Sequence, residues 1–202
     1  SSLKDNASIG GFELPTKWNW GNYAQAWNMV NYPRAAWTTL IITVFATVLT
    51  LLSNTFVAYA IARNMDRPFF KFLYYFFVAA MFVPFTVIML PLARQMGMLH
   101  LDNQLGLIIL YTVLGLGTNL FIGIGFIRSI PISLEEAARM DGASTWRVFW
   151  TIIFPLMGPI NATIAIMTVL WVWNDFMLPL IILTDQSNST IQLSQYVFSS
   201  QF

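Results

Sequence analysis

Four apolar runs, near residues 35–62, 69–93, 105–127 and 158–183, leave this chain few ways to fold. Each reaches the ~20 helical residues needed to cross a bilayer. Each is apolar all round, unlike the one-sided stripe of a helix on a soluble domain. In lipid, backbone polar groups must bond within their own segment, so the runs are expected as helices. Composition agrees: 9% of the 202 residues are charged, against about 25% in soluble domains. The reading is an all-α membrane protein with a four-span domain over 35–183.

Lysine and arginine set the expected orientation. The loop after the first run holds Arg63, Arg67 and Lys71, and the one after the third holds Arg128, Arg139 and Arg147. The connection between runs two and three holds only Arg94, and the tail after Asp185 has no basic residue. The positive-inside rule places the first two loops in the cytoplasm and both chain ends outside. Residues 1–34 carry Lys4, Lys17 and Arg34, but also Trp18, Trp20 and Trp27 ahead of Trp37, which fit an external aromatic belt. They lack the basic-then-apolar pattern of a signal peptide.

Several chemistries are excluded. There is no cysteine and one histidine, His100, so disulfides, thiolate chemistry and His/Cys metal clusters are out. His100 has no nucleophile or second base beside it and reads as a surface residue of an external loop. A net charge of +1 recruits no nucleic acid. No G-x-x-x-x-G-K-[ST] occurs, so this chain should not hold ATP phosphates. The glycines of "GLGTNL" and "GIGF", Gly115 to Phe126, lie in a span without a third dinucleotide-binding glycine and read as close helix contacts.

Residues 128–157 interrupt the grease. Pro131 ends the third run, and Ser133 stands three residues before Glu136, the spacing of a capping box. Glu135 and Glu136 fall in a first helical turn, where the helix dipole favours anions. Gly142 can end that helix in a left-handed conformation. Ser144 or Thr145 can then cap a second helix bearing Trp146, Phe149 and Trp150, before Pro155 and Pro159 break regularity again. The expected form is helix, elbow, helix, with a small face (Ala137, Ala138, Ala143) and an aromatic face against the bundle. Two readings fit: a handle gripped by another protein, or an amphipathic helix lying at the headgroups.

Here the residues become recognisable. Glu136-Ala137-Ala138, Asp141-Gly142-Ala143, Ile152, Pro155 and Pro159 resemble the "EAA" loop of permease subunits of bacterial ATP-binding-cassette importers. Phe154 departs from the leucine usual before the first proline. "NYAQAW" (22–27), "GMLHLDNQLGLIIL" (97–110) and "WNDFMLPLIIL" (173–183) are similar to the carbohydrate branch, maltose-type smaller subunit.

The resemblance implies a type I importer-like transmembrane domain, with four spans present of an expected six, one lost at each end. Residues 1–34 and 184–202 would be extracytoplasmic, and 128–157 would form coupling helices docking on an ATPase. The docking residues implied are Glu135, Glu136, Ala137, Ala138, Met140, Asp141, Gly142 and Ala143. Expected partners are a second permease subunit, two cytoplasmic ATP-binding subunits carrying ATP and Mg, and an extracytoplasmic solute-binding protein. No cofactor or metal is expected on this chain, and the expected location is the bacterial inner membrane. A permease for amino acids or peptides and a non-transporting scaffold or receptor remain as alternatives.

Polar residues inside the runs are candidates for a path. Thr39, Thr43, Thr47, Thr50 and Asn54 share one helix face, as do Thr112, Gly115, Asn119 and Gly123, and Asn161, Thr168 and Asp175. Helix packing is the commoner reason for such stripes. An intramembrane carboxylate is costly and points to function or to a structural cap. Asn54, Asn119, Trp171, Asn174 and Asp175 are therefore the candidate wall of a sugar path. Aromatic faces would cover sugar CH surfaces while Asn and Asp bond hydroxyls. Pro84 and Pro91 are expected to kink the second run.

Overall fold

The computed structural model describes residues 20–29, 31–185 and 188–200. Lys4, Lys17 and Trp18 lie outside them. Every described α-helical or π-helical element belongs to one all-helical bundle with no strand among the described residues. A short α1 (Gly21–Met29) leads to α2 (Tyr32–Arg63). At 32 residues, α2 measures about 48 Å. It is the one described helix long and apolar enough to cross a membrane by itself.

The other three runs are not single rods. The second divides into α3 (Pro68–Ala80) and α4 (Phe85–Met98), 105° apart. Pro84 has no N–H for a helix and its ring clashes with the carbonyl four residues back, which is Ala80, the last residue of α3. Pro91, also expected to kink, stays inside α4. The third run divides at Gly115 into α5 (Gln104–Leu114) and α6 (Leu116–Ser129), bent by 45°. The fourth is α10 (Gly158–Asn174) and α11 (Met177–Ile182). The same proline arithmetic explains that break: four residues before Pro179 stands Asp175, where the backbone is extended. By length and composition up to four spans are present when each bent pair counts as one, the last pair being Thr145–Leu156 and Gly158–Asn174, bent by 71°.

α2 is the centre of the bundle and packs on α3, α5, α6, α10 and the final α12 (Ile191–Ser200). Two apolar clusters hold it. One gathers Ala58, Tyr59 and Ile61 with Leu120, Ile124, Ile127, Phe149 and Ile153. The other gathers Ile42 and Ala46 with Leu107, Tyr111, Val172 and Leu178. Along α2 the polar face Thr43, Thr47, Thr50 and Asn54 lies between them and is buried, as are Asn119, Asn161 and Thr168. Next to the stripe Thr55 Oγ1 donates to Asn161 Oδ1 of α10 at 3.2 Å, and within α2 Asn54 Nδ2 donates to the Thr50 carbonyl at 2.8 Å, while the Thr43, Thr47 and Thr50 hydroxyls and Asn54 Oδ1 are buried without a hydrogen-bond partner. Gly123 lets α6 approach α2, since a Cβ there would stand 3.2 Å from the Ala58 methyl.

The two ends of α2 separate the loops as the charges predict. Its C-terminal Arg63 meets residues 130–135. Its N-terminal Thr39 accepts from the Ile191 N–H at 3.0 Å. At that second end Thr184 donates to Asp102 and Gln104 to Asn188. His100 is structural here. It adopts φ 54° as the left-handed residue closing α4, with Leu101 N–H bonded to the Met96 carbonyl and His100 N–H to that of Gly97.

Candidate functional site

The arm between the third and fourth spans is α7 (Ser133–Met140), an elbow, α8 (Thr145–Val148), a π-helical turn (Phe149–Ile153) and α9 (Phe154–Leu156). The predicted elbow is present. Gly142 lies at φ +84°, Ala143 N–H bonds the Ala138 carbonyl at 2.9 Å, and Gly142 N–H bonds that of Arg139 at 3.0 Å. This is the paired bond pattern of a left-handed helix stop. Ser144 caps α8 by accepting from Arg147 N–H at 3.3 Å. The predicted capping box is not formed: Ile132 is already helical, at φ −64° and ψ −26°, so Ser133 lies inside the first turn. A capping side chain needs an extended backbone beneath it.

Neighbouring helical residues point about 100° apart, and that angle divides the arm. Glu136, Ala137, Met140, Asp141 and Gly142 face outward, Met140 with 85% of its surface exposed. Ala138 and Ala143 turn the other way and pack on the apolar cluster, so two-thirds of the small face looks inward. Glu135 also turns inward and is 1% exposed. It accepts from Tyr59 Oη at 2.7 Å and from Arg63 Nε at 2.6 Å, and Arg139 stands 3.7 Å away. Glu135 was expected on the docking face; its carboxylate faces the protein's own α2. The reason is electrostatic. A carboxylate placed beside an apolar cluster is stable there only when paired, and Arg63 supplies the pair.

The aromatic face packs as predicted. Phe56 of α2 stacks on Phe149 with centroids 4.3 Å apart, and Trp146 and Trp150 meet it edge-on at 5.3 and 5.4 Å. No motif in the sequence flagged Phe56, Tyr59 or Arg63 as partners of the arm. Their i, i+3, i+7 spacing on α2 was the available signal.

A second feature lies at the helix breaks. The interruptions at 81–84, at 115 and at 175–176 converge on one cavity of about 580 Å³. Phe76, Phe77, Met81, Phe85, Gly117, Trp171 and Asp175 are among its lining residues. Of the five candidate path residues it takes Trp171 and Asp175. Asn54 and Asn119 are instead buried in helix contacts, and Asn174 is exposed with its amide on the Leu170 carbonyl. Sequence periodicity places Asn54, Asn119 and Asp175 on shared faces, with Trp171 and Asn174 near Asp175 in sequence, but cannot say which faces a neighbour fills.

Asp175 is held by the fold on several sides. Its Oδ2 accepts from Tyr111 Oη at 2.8 Å and from Leu178 N–H at 3.3 Å, and its Oδ1 from Met177 N–H at 3.1 Å. The carboxylate thus caps α11 where a proline forces the chain to restart. Tyr111 also stands edge-on to Trp171, centroids 5.3 Å apart. Carboxylate oxygens carry about four acceptor positions in all, so roughly one is left toward the cavity. Among the described residues no group of His, Cys, Asp and Glu could hold a metal ion.

Comparison with known proteins agrees with the sequence resemblance in family and in fold. Residues 54–201 match the family described as "Binding-protein-dependent transport system inner membrane component". Over 169 residues the chain is 44% identical to the multiple sugar-binding transport system permease protein MsmG of Streptococcus mutans, covering 82% of this chain and 61% of that one. It is 35% identical over 189 residues to the probable starch degradation products transport system permease protein AmyC of Thermoanaerobacterium thermosulfurigenes, covering 94% and 69%. In fold it matches a chain of a bacterial ABC transporter involved in the import of the acidic polysaccharide alginate. The TM-score is 0.81 at 24% identity, covering 98% of this chain and 70% of that one. The chain spans about three-fifths to two-thirds of the length of these curated relatives. On the match over residues 54–201, the chain belongs to the family of binding-protein-dependent transport system inner membrane components.

Proposed function

We propose that this chain is a multi-pass permease subunit of an ATP-driven importer for a sugar or oligosaccharide. The observation that carries the reading is the arm. A short helix, a left-handed glycine stop and a second helix capped by Ser144 expose Glu136, Ala137, Met140 and Asp141 at the bundle end that also bears Arg63, Arg67 and Lys71. Such a surface suits docking by a separate cytoplasmic ATPase, which would bind the ATP and Mg. Sugar as the solute is supported by the names of the relatives MsmG and AmyC.

The path is proposed at the cavity where three broken helices meet. Broken membrane helices are a recurrent way to build solute sites, because their freed backbone groups can line a polar cavity. A volume of about 580 Å³ falls within the ~300–1,000 Å³ of small-molecule sites. Trp171, Phe76 and Phe85 offer ring faces for sugar CH surfaces, and Asp175 an acceptor for a hydroxyl. A second permease subunit would close the open side, and an extracytoplasmic binding protein would deliver the solute at the end holding residues 100–104, 184–185 and 188–191.

The test is purification of the complex followed by ATP-dependent uptake of glucose, maltose, melibiose and raffinose into proteoliposomes. Copurification of an ATP-hydrolysing subunit and uptake of at least one sugar is the expected result. A chain that binds no such subunit, or a complex that moves an amino acid or peptide and none of the sugars, overturns the reading.

A further inference from the structure

Resting on the transporter reading above, we infer that Glu135 is a positioning residue that bolts the arm to α2, so that force applied to the arm turns the central helix.

The geometry is that of a two-point attachment. Phe56, Tyr59 and Arg63 stand at i, i+3 and i+7 on α2 and share one face. The upper bolt is aromatic: Phe56 stacks on Phe149, with Trp146 and Trp150 edge-on. The lower bolt is ionic: Glu135 takes one bond from Tyr59 and one from Arg63. Arg63 also donates from Nη2 to the Ile130 carbonyl at 3.1 Å, which ties in the end of α6. The bolts lie seven residues apart on α2, about 10 Å. A single contact would let the arm pivot; two contacts on one face make it follow the helix. α2 is also the one unbroken span among the described residues, so a rotation imposed at Arg63 reaches the buried threonine face intact, whereas the broken helices would bend.

Glu135 therefore differs in role from the adjacent Glu136. The first points inward and is almost wholly buried, while the second is exposed on the outer face of the arm. Glu136 can be gripped; Glu135 transmits.

The chain has no cysteine, so a spin-label pair can be introduced cleanly at Ser133→Cys on α7 and Val48→Cys on α2, both exposed. The full complex carrying Glu135→Gln is compared with the labelled parent. Expected are unchanged amounts of copurified ATPase subunit, a broadened label-to-label distance distribution, and about tenfold or more less sugar moved per ATP hydrolysed. Tenfold is the loss of one charged hydrogen-bond set. A narrow distribution, an unchanged transport-to-hydrolysis ratio or loss of the ATPase subunit overturns the inference, the last because it would make Glu135 a docking contact. If Glu135→Gln fails to accumulate in the membrane, Tyr59→Phe gives the same reading by removing one bond and no charge. A broadened distribution supports the bolt, and a narrow one overturns it. Failure of the labelled parent to transport any sugar would instead sink the transporter reading and leave the distance measurement standing.

Discussion

Replacing Gly142 tests the arm with little steric confusion. Its φ of +84° is left-handed, yet a Cβ built on it meets nothing within 4 Å. Any effect of a side chain there comes from backbone strain and from what the side chain presents outward, not from a clash. An L-residue costs about 1–2 kcal/mol in this conformation, and asparagine less. β-branched residues are worse still. At 1.4 kcal/mol per factor of ten, Gly142→Ala should shift the balance from bent to unbent arm by about 5- to 30-fold. The two bonds that close the elbow, to the Ala138 and Arg139 carbonyls, would open with it. Uptake should therefore fall in the order Gly, Asn, Ala, Val at position 142. Gly142→Asp adds a carboxylate beside Asp141 at a helix C-terminus, where the dipole disfavours anions. That variant is expected to insert but not to transport. The assay is ATP-dependent uptake in proteoliposomes, normalised to inserted subunit and to copurified ATPase. Wild-type uptake by Gly142→Val would refute the reasoning, as would a ladder that follows side-chain volume and ranks Asn no better than Val.

Other perturbations probe other parts. Asp175→Ala removes the cap of α11 and the Tyr111 partner, at about 1–3 kcal/mol; uptake should fall while assembly survives, and normal uptake would remove Asp175 from the path. Gly106→Ala places a Cβ 1.8 Å from the Leu101 carbonyl oxygen, so backbone must move. A cost of about 2 kcal/mol or more should lower Tm in detergent by roughly 4–8 °C; an unchanged Tm counts against the α4–α5 turn described here. The Thr55–Asn161 bond joins α2 to α10, and a double-mutant cycle to alanine should return a coupling of about 0.6 kcal/mol, with zero coupling excluding the bond.

Part of the site was legible from a few adjacent residues. The glycine stop, the Ser144 cap and the acidic first turn of α7 depend on chemistry within four or five positions, so spacing alone reveals them. The proline breaks were half-legible. Pro84 marks a kink by its missing N–H, whereas the ring of Pro179 acts four residues back on Asp175, inside a run whose hydropathy reads as a single rod. The buried threonine face of α2 was readable as a stripe, because helical period is a local property.

The sequence by itself thus determined that the chain is helical, apolar and divided by a bent polar arm, since those follow from hydropathy, period and local turn chemistry. Only the tertiary structure decided which of two adjacent glutamates is buried, and that three breaks in three different spans meet at one cavity. Tyr59 and Glu135 are 76 residues apart, and Tyr111 and Asp175 are 64 apart. No local pattern encodes such pairs, because a side chain's surroundings depend on which helices pack around it, and packing is settled by the whole bundle at once.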